Sequence, residues 1–188
     1  GIVCEDTRKT GLLLKLIQEK YAFLASVDKE RARMLPYHEH NEQQRIPEII
    51  NALKNGLTIA MVTDAGTPGI SDPGFRLVRE CIAQGITVES LPGPTAVISA
   101  LVTSGLPTDK FLFLGYPPHK GGKRKQLYEA VKQSEEYVKA TVIFFEAPHK
   151  LLKTLGEMQE GFGDNEIVLA RELTKVHEEI KKKKISEA

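Results

Sequence analysis

The sequence LTIAMVTDAGTPGISDPG, residues 57–74, decides the fold of this chain. Its first part, residues 57–63, is a mostly apolar run that ends at Asp64, which is typical of a buried parallel strand. Residues 63–74 then hold three glycines and two prolines before a helical pattern begins. Glycine lets a backbone approach a ligand, proline stiffens a loop, and connections of this type usually have only about two to six residues. We therefore predict a ligand-binding loop at the carboxyl edge of a parallel sheet.

A second loop of the same kind, LPGPTA at residues 91–96, follows the next predicted strand at residues 86–91. Pro92 and Pro94 stiffen this loop, and Thr95 supplies a hydroxyl where a helix begins. Taken alone, the loop is equally well explained as a helix N-cap. Because neighbouring parallel strands end at one edge of a sheet, we expect both loops to line one crevice.

Strand and helix patterns alternate along the rest of the chain. We predict strands at residues 111–114, 141–145 and 166–170, and helices at residues 45–54, 74–84, 95–104, 123–137 and 149–160. This alternation indicates an α/β fold in which helices cover both faces of a parallel sheet. Gly, Pro and Asp between two periodic regions predict a domain boundary after Pro107, with one α/β domain at residues 1–107 and another at residues 108–188.

The composition excludes several classes of protein. Twenty-six Lys and Arg against 25 Asp and Glu leave a net charge of +1, which excludes a uniformly basic protein that coats nucleic acid. With 41% hydrophobic and 27% charged residues, the chain has the composition of a globular protein. We expect no membrane span, no export leader and, with only two cysteines, a reducing cytoplasmic compartment. The run at residues 181–184, four lysines, is interpreted as a solvated face or a frayed tail.

Polar clusters follow several of the predicted strands. Glu5, Asp6 and Arg8 come directly after the apolar run at residues 2–4, where they form a surface ion pair or orient a substrate. His38 and His40 have the spacing of metal ligands, but we identify no third ligand and predict no metal.

The loop at residues 115–125, GYPPHKGGKRK, concentrates positive charge in an otherwise neutral chain. Its cations are Lys120, Lys123, Arg124 and Lys125, and Tyr116 lies beside two prolines. Such a loop suits contact with phosphates and stacking with bases, although a solvated loop before a helix explains it almost as well.

The common nucleotide-binding motifs are absent. The only G-x-G pattern, residues 161–163, precedes a predicted strand instead of following one, and Gly122-Lys123 is followed by Arg124 in place of the Ser or Thr of a Walker loop. NAD and ATP are therefore disfavoured as ligands.

Six motifs together resemble those of a known family. They are CEDTRKT, YHEHNE, TDAGTPGISDPG, LPGPTAVISALVTSGLP, EAPHKLLKTL and ARELTKVHEE, and they span residues 4–179. The order is similar to that in bacterial 16S ribosomal RNA 2′-O-ribose (cytidine) methyltransferases of the tetrapyrrole (corrin/porphyrin) methylase superfamily. The resemblance implies a homodimer of two-domain α/β subunits, with S-adenosylmethionine in the cleft between the domains. The partner it implies is 16S rRNA or the small ribosomal subunit.

The resemblance also implies which residues hold the cofactor. These are Asp64, Ala65, Gly66, Thr67, Pro68, Ile70, Thr95, Ala96, Glu146, Ala147, Ala170 and Arg171. For the chemistry, we expect Glu5 or Asp6 to orient or deprotonate the ribose hydroxyl and Arg8 to hold a flanking phosphate. Glu172 and Lys175 are the second choice for this role, and Lys120, Lys123, Arg124 and Lys125 are expected to contact the RNA.

Family members begin with a further strand and end with further strand and helix, so we expect both domains of this chain to be incomplete. Two alternatives stay open. A small-molecule methylase of the same superfamily would share the cofactor loops without needing a basic loop, and a non-catalytic nucleotide-binding module would bind cofactor weakly.

Overall fold

The structure is a computed structural model that describes residues 1–21 and 33–188 of the chain. Within these ranges the chain forms two compact units, Gly1–Pro94 and Thr95–Ala188. Both contain parallel strands and helices, which confirms the predicted α/β class. No helix in the described ranges is both long and apolar enough to cross a membrane.

The first unit is built on a three-stranded parallel sheet. Its strands are β1 (Ile2–Cys4), β2 (Met34–Pro36) and β3 (Ala60–Val62), in the order β2-β1-β3. Its helices are α1 (Thr7–Lys20), α2 (Glu42–Lys54) and α3 (Phe75–Ala83). Because β1 is central and parallel to both neighbours, the segments that follow the three strands all leave from the same edge.

The core of the first unit lies between this sheet and helices α2 and α3. Val3 of β1 packs with Ile49 of α2 and with Leu77 and Cys81 of α3, and all four side chains are buried. Leu77 and Cys81 are four residues apart and therefore share one helix face. Fully burying an aliphatic side chain contributes about 1.5–3 kcal/mol, so these contacts hold the sheet edge in place.

The prediction of a strand at residues 86–91 was wrong. The backbone N–H of Ile86 donates to Cys81 O (2.9 Å) at the end of α3, and the following residues are exposed and paired with no strand in the described part of the chain. A strand exists only where a neighbour accepts its ladder bonds, and here no neighbour does.

The second unit contains two separate two-stranded sheets. Strands β4 (Phe111–Phe113) and β5 (Thr141–Ile143) are parallel, whereas β6 (Glu166–Arg171) and β7 (Glu179–Lys184) form an antiparallel hairpin. The helices are α4 (Ala96–Thr103), α5 (Gly121–Ser134) and α6 (Leu151–Phe162), with short 3-10 helices at Pro148–Lys150 and Ile185–Glu187.

The hairpin corrects the expectation of a wholly parallel sheet. The four lysines at residues 181–184 belong to β7, so the alternative of a frayed tail was wrong, although their side chains are solvated. Lys181 pairs with Glu179, and Lys182 pairs with Glu166 on the facing strand (2.8 Å). These ion pairs and the full ladder explain why so charged a segment forms a strand.

Helix α4 belongs to the second compact unit. Its Val97 and Leu101 are buried and lie around the same cavity as side chains of β5 and α6. The domain boundary predicted after Pro107 falls inside this unit, beyond the division at Pro94.

Candidate functional site

The loop at residues 63–74 is shaped by residues with positive φ. Gly66 (φ 76°), Gly69 (82°), Ser71 (57°) and Gly74 (142°) all lie in the region that favours glycine. A Cβ at Gly74 would lie 2.9 Å from the sulfur of Met61 and 3.3 Å from the nitrogen of Gly69, so only glycine fits there. A Cβ at Gly66 would meet nothing within 4 Å. The backbone at Gly66 is therefore open on that side, as a ligand loop requires.

The two loops predicted to lie together do meet inside the first unit. The hydroxyl of Thr67 donates to the carbonyl of Pro94 at 2.9 Å. This hydrogen bond joins the two loops although residues 86–91, which precede the second loop, do not form the predicted strand. Ile70 is half-exposed, and Thr95 and Ala96 follow at the start of the second unit.

Two carboxylates share one hydroxyl at the edge of the first sheet. The Oγ1 of Thr63 lies 2.8 Å from Oδ2 of Asp72 and 3.4 Å from Oε2 of Glu5. A hydroxyl has a single proton, so it donates to Asp72, the nearer acceptor. In the described parts of the chain, the longer contact to Thr63 is the hydrogen bond that the Glu5 carboxylate makes, so its oxygens can accept further hydrogen bonds. Thr63 and Asp72 lie within the motif quoted above, but the sequence analysis gave them no role.

Asp6 is held much more firmly than Glu5. It caps the N-terminus of α1 and accepts from the backbone N–H of Arg8 (2.8 Å) and from the guanidinium of Arg8 (2.8 and 3.2 Å). These bonds from the side chain and backbone of Arg8 hold the pKa of Asp6 well below its usual range. A carboxylate of such low pKa is a weak base, so the geometry favours Glu5 over Asp6 as the proton acceptor.

Lys9 was also missed by the sequence analysis. Its ammonium lies 2.6 Å from Oδ2 of Asp64, which raises the pKa of Lys9 and ties the loop at residues 63–74 to the first turn of α1. The neighbouring Arg8 side chain is 89% exposed despite its bond to Asp6, so it remains accessible to a phosphate.

The two histidines lie at the end of β2. The Nδ1 of His38 is buried and has no hydrogen-bond partner within residues 1–21 and 33–188. The rings of His38 and His40 lie 5.9 Å apart, and the described residues contain no group of three or more side chains that could hold a metal. Asn41 is the residue before α2, but its side chain accepts from His38 N–H and donates to Pro36 O instead of capping the helix.

The second unit contains a cavity of about 540 Å³, most of whose lining side chains are apolar. Three predicted cofactor residues line it: Ala96 of α4, Glu146 after β5 and Ala170 of β6. Glu146 is fixed in orientation, because its Oε2 accepts from the buried Thr154 hydroxyl (2.5 Å) and its Oε1 from the N–H of Ala147 (2.7 Å). A carboxylate held in this way can accept further hydrogen bonds from a ligand.

Some predicted site residues lie elsewhere. Ala147 and Arg171 are not among the lining residues of the cavity, and Arg171 pairs with Glu179 (2.6 Å) on the hairpin. Glu172 and Lys175, the second choice for catalysis, form an exposed ion pair at 3.3 Å in the turn between β6 and β7. Glu172 adopts a positive φ (50°), so the turn itself accounts for this pair.

The basic loop contains one cation that is not available to a ligand. Arg124 makes a two-bond ion pair with Glu157 (2.5 and 2.6 Å), and only 12% of its side chain is exposed. It also donates to the carbonyls of Pro118 and His119, which fixes the loop ahead of α5. This placement argues against RNA contact by Arg124. Lys120, Lys123 and Lys125 are exposed, and none of them forms an ion pair with a carboxylate in the described ranges.

Comparison with known proteins gives one family and several close relatives. Residues 2–188 match the model of the Tetrapyrrole (Corrin/Porphyrin) Methylases. The chain is 42% identical over 187 residues to a Thermotoga maritima protein and 45% identical over 181 residues to proteins of Mesorhizobium japonicum and Vibrio cholerae. Each of the three is named Ribosomal RNA small subunit methyltransferase I. The alignments cover 100%, 96% and 95% of this chain, but 77%, 56% and 57% of the respective relatives.

Proposed function

The chain belongs to the tetrapyrrole (corrin/porphyrin) methylase family, and on that premise we propose that it methylates a ribose 2′-hydroxyl in small-subunit ribosomal RNA, with S-adenosylmethionine as the methyl donor. The names of its relatives support a ribosomal RNA substrate over a small molecule. Cytidine is the nucleotide that the motif resemblance favours.

The observation that carries this proposal is the cavity of the second unit. Residues from three separate segments, Ala96, Glu146 and Ala170, lie around one space of about 540 Å³. This volume lies within the range of about 300–1,000 Å³ that is typical of small-molecule sites. An apolar wall with an oriented carboxylate suits an adenosyl group, whose flat ring faces pack on apolar side chains and whose ribose hydroxyls can donate to a carboxylate.

In the first unit, we propose that the loop at residues 63–74 also contacts the cofactor. Asp64, Ala65, Gly66, Thr67, Pro68 and Ile70 are the proposed contacts, and the open backbone at Gly66 supports this role. Thr95 is also a proposed cofactor contact. Ala147 and Arg171 are proposed to contact the cofactor through their backbone atoms, next to Glu146 and Ala170. When bound, S-adenosylmethionine supplies an electrophilic methyl group on a positively charged sulfur.

The chain's own residues would act on the nucleophile. In our proposal, Glu5 would accept the proton that the ribose 2′-hydroxyl loses as its oxygen is methylated. The Thr63 hydroxyl donates its hydrogen bond to Asp72, which leaves the carboxylate of Glu5 available for this part. Arg8 is proposed to contact a flanking phosphate because its exposed guanidinium carries several donors. Most of the protein's contribution is to position the two reactants.

We also propose that the RNA backbone contacts Lys120, Lys123 and Lys125, whose charges are not neutralised by carboxylates in the described ranges. A homodimer is part of the proposal, and the exposed Leu12, Leu13 and Leu16 on α1 support an apolar contact surface. The cytoplasm is the proposed location.

The test is transfer of an isotopically labelled methyl group from S-adenosylmethionine to small-subunit ribosomal RNA, followed by mass spectrometry of the nucleosides. We expect a 2′-O-methylated nucleoside with the wild-type chain, its near absence with Glu5→Gln, and full yield with the control Glu39→Gln, an exposed glutamate. Methylation of a tetrapyrrole instead of RNA would favour the small-molecule alternative. Cofactor binding without any transfer would favour the binding module.

A further inference from the structure

Three aromatic rings form a column in the second unit. Phe113 of β4 packs edge-on against Phe145, with ring centroids 4.9 Å apart and planes at 68°. Tyr116 packs against Phe145, with ring centroids 5.6 Å apart and planes at 58°. Aromatic contacts in this range of distance are attractive and stabilise the relative positions of the rings. Tyr116 therefore has a defined position and is not a freely rotating surface side chain.

The end of this column is open to solvent. Tyr116 is 58% exposed, although its ring is apolar enough to be buried in most proteins. Its backbone is held as well, because Phe145 N–H donates to Gly115 O at 2.9 Å and thereby joins the residue before Tyr116 to the column. On the other side, Arg124 fixes the carbonyls of Pro118 and His119. An exposed ring that is held from both sides is a preorganised contact surface.

Positively charged residues follow the exposed ring in the sequence. Lys120 is the residue before α5 and Lys123 lies in the first turn of that helix, and neither pairs with a carboxylate in the described parts of the chain. Phe145, which supports Tyr116, also lines the cavity proposed for the methyl donor, and Glu146 is the next residue. Tyr116 follows the end of β4 and Phe145 follows the end of β5, so their aromatic contact and the cavity wall at Phe145 lie at the same edge of the β4–β5 sheet. The lysines come four and seven residues after Tyr116.

From this juxtaposition we propose that Tyr116 is the platform on which an unpaired base of the RNA stacks, while the lysines contact the adjoining phosphates. The inference rests on the proposed function and specifies its substrate as a single-stranded segment of RNA. A base inside a duplex is stacked on both faces by its neighbours, so Tyr116 can bind only a base that has left the stack. Loss of one base–aromatic stack should therefore weaken RNA binding about tenfold, which corresponds to about 1.4 kcal/mol.

The sequence offers a direct probe of stacking, because it contains no tryptophan. In the Tyr116→Trp variant, a short single-stranded RNA added without S-adenosylmethionine should quench the fluorescence of the single tryptophan in a saturable manner. The matched control is Tyr137→Trp, since Tyr137 is 86% exposed and lies apart from the column, among the residues that follow α5. We expect quenching with Tyr116→Trp, none with Tyr137→Trp, and much less quenching by the same RNA annealed to its complement.

Affinity provides the second readout. Tyr116→Leu should weaken binding of the single-stranded RNA by about tenfold, while Tyr116→Phe and Tyr137→Leu bind as the wild type does. Lys123→Gln should weaken binding of single strands and duplex alike and reduce its dependence on salt. Equal quenching of the two tryptophans, or unchanged affinity in a folded Tyr116→Leu chain, would overturn the proposal. These measurements need no methyl transfer, so a chain that stacks RNA but transfers no methyl group would refute the proposed function alone.

Discussion

Three glycines with positive φ allow the ligand loop to be tested by one type of change, glycine to alanine. Gly74 has φ 142° and ψ −38°, and its new Cβ would lie 2.9 Å from the Met61 sulfur and 3.3 Å from the Gly69 nitrogen. Gly66 (φ 76°) and Gly85 (φ 69°) have open space where a Cβ would be. Only Gly66 belongs to the predicted cofactor contacts. The three positions therefore separate backbone strain, steric overlap and ligand contact.

The magnitudes follow from these differences. A side chain in the left-handed region costs about 1–2 kcal/mol, so Gly66→Ala and Gly85→Ala should each lower the free energy of unfolding by that amount. Gly74→Ala adds the overlap with Met61 and with the backbone of Gly69, for which overpacking costs of about 1–3 kcal/mol are typical. We expect a total loss of about 2–5 kcal/mol at Gly74. Urea unfolding followed by circular dichroism measures all three.

Cofactor affinity, measured by calorimetry, gives the decisive comparison. Gly66→Ala should bind S-adenosylmethionine at least tenfold more weakly than wild type, whereas the equally strained Gly85→Ala should bind it normally. If Gly66→Ala and Gly85→Ala bind the cofactor equally well, the loop at residues 63–74 does not contact it at Gly66. If Gly74→Ala is no less stable than Gly85→Ala, the steric argument is wrong.

Three further predictions concern charged and buried groups. Arg124→Gln should lower thermal stability and leave the salt dependence of RNA binding unchanged. Its neighbour Lys123→Gln should leave thermal stability unchanged and reduce that salt dependence. If Arg124→Gln reduces the salt dependence instead, Arg124 belongs to the RNA contacts. Glu5→Gln should abolish methyl transfer without loss of stability, and Asp6→Asn should retain transfer, since Asn also caps helices; equal activity in both variants would remove Glu5 from the mechanism. Burial raises the pKa of Tyr128 from 10.0 to about 12, so the unfolded chain ionises first and the free energy of unfolding should fall as pH rises from 10 to 12. Urea unfolding of Tyr128→Phe should show a smaller fall over the same interval, and an identical fall would contradict this assignment.

Much of this protein could be predicted from local sequence. The loop at residues 63–74 was predicted because glycine frees the backbone and proline restricts it wherever they occur. The positive φ values in this loop agree with that interpretation. Helices α3, α4 and α6 and strands β4, β5 and β6 begin within about two residues of the predicted bounds, since their apolar periodicity is itself a local property. The family, too, could be identified from short motifs in order.

Tertiary structure decided the features that depend on distant partners. Arg124 and Glu157 are 33 residues apart, so nothing in the basic loop showed that one of its four cations was already paired. Residues 86–91 have a strand's composition but no strand beside them among the residues that the structure describes. The lysines at residues 181–184 form a strand because β6 lies beside them. Likewise, the choice between Glu5 and Asp6 depended on where Thr63 and Arg8 direct their donors. Residue type and spacing determine what a side chain is able to do, but hydrogen bonds and ion pairs act over a few ångströms, so only the folded chain determines which partner it has.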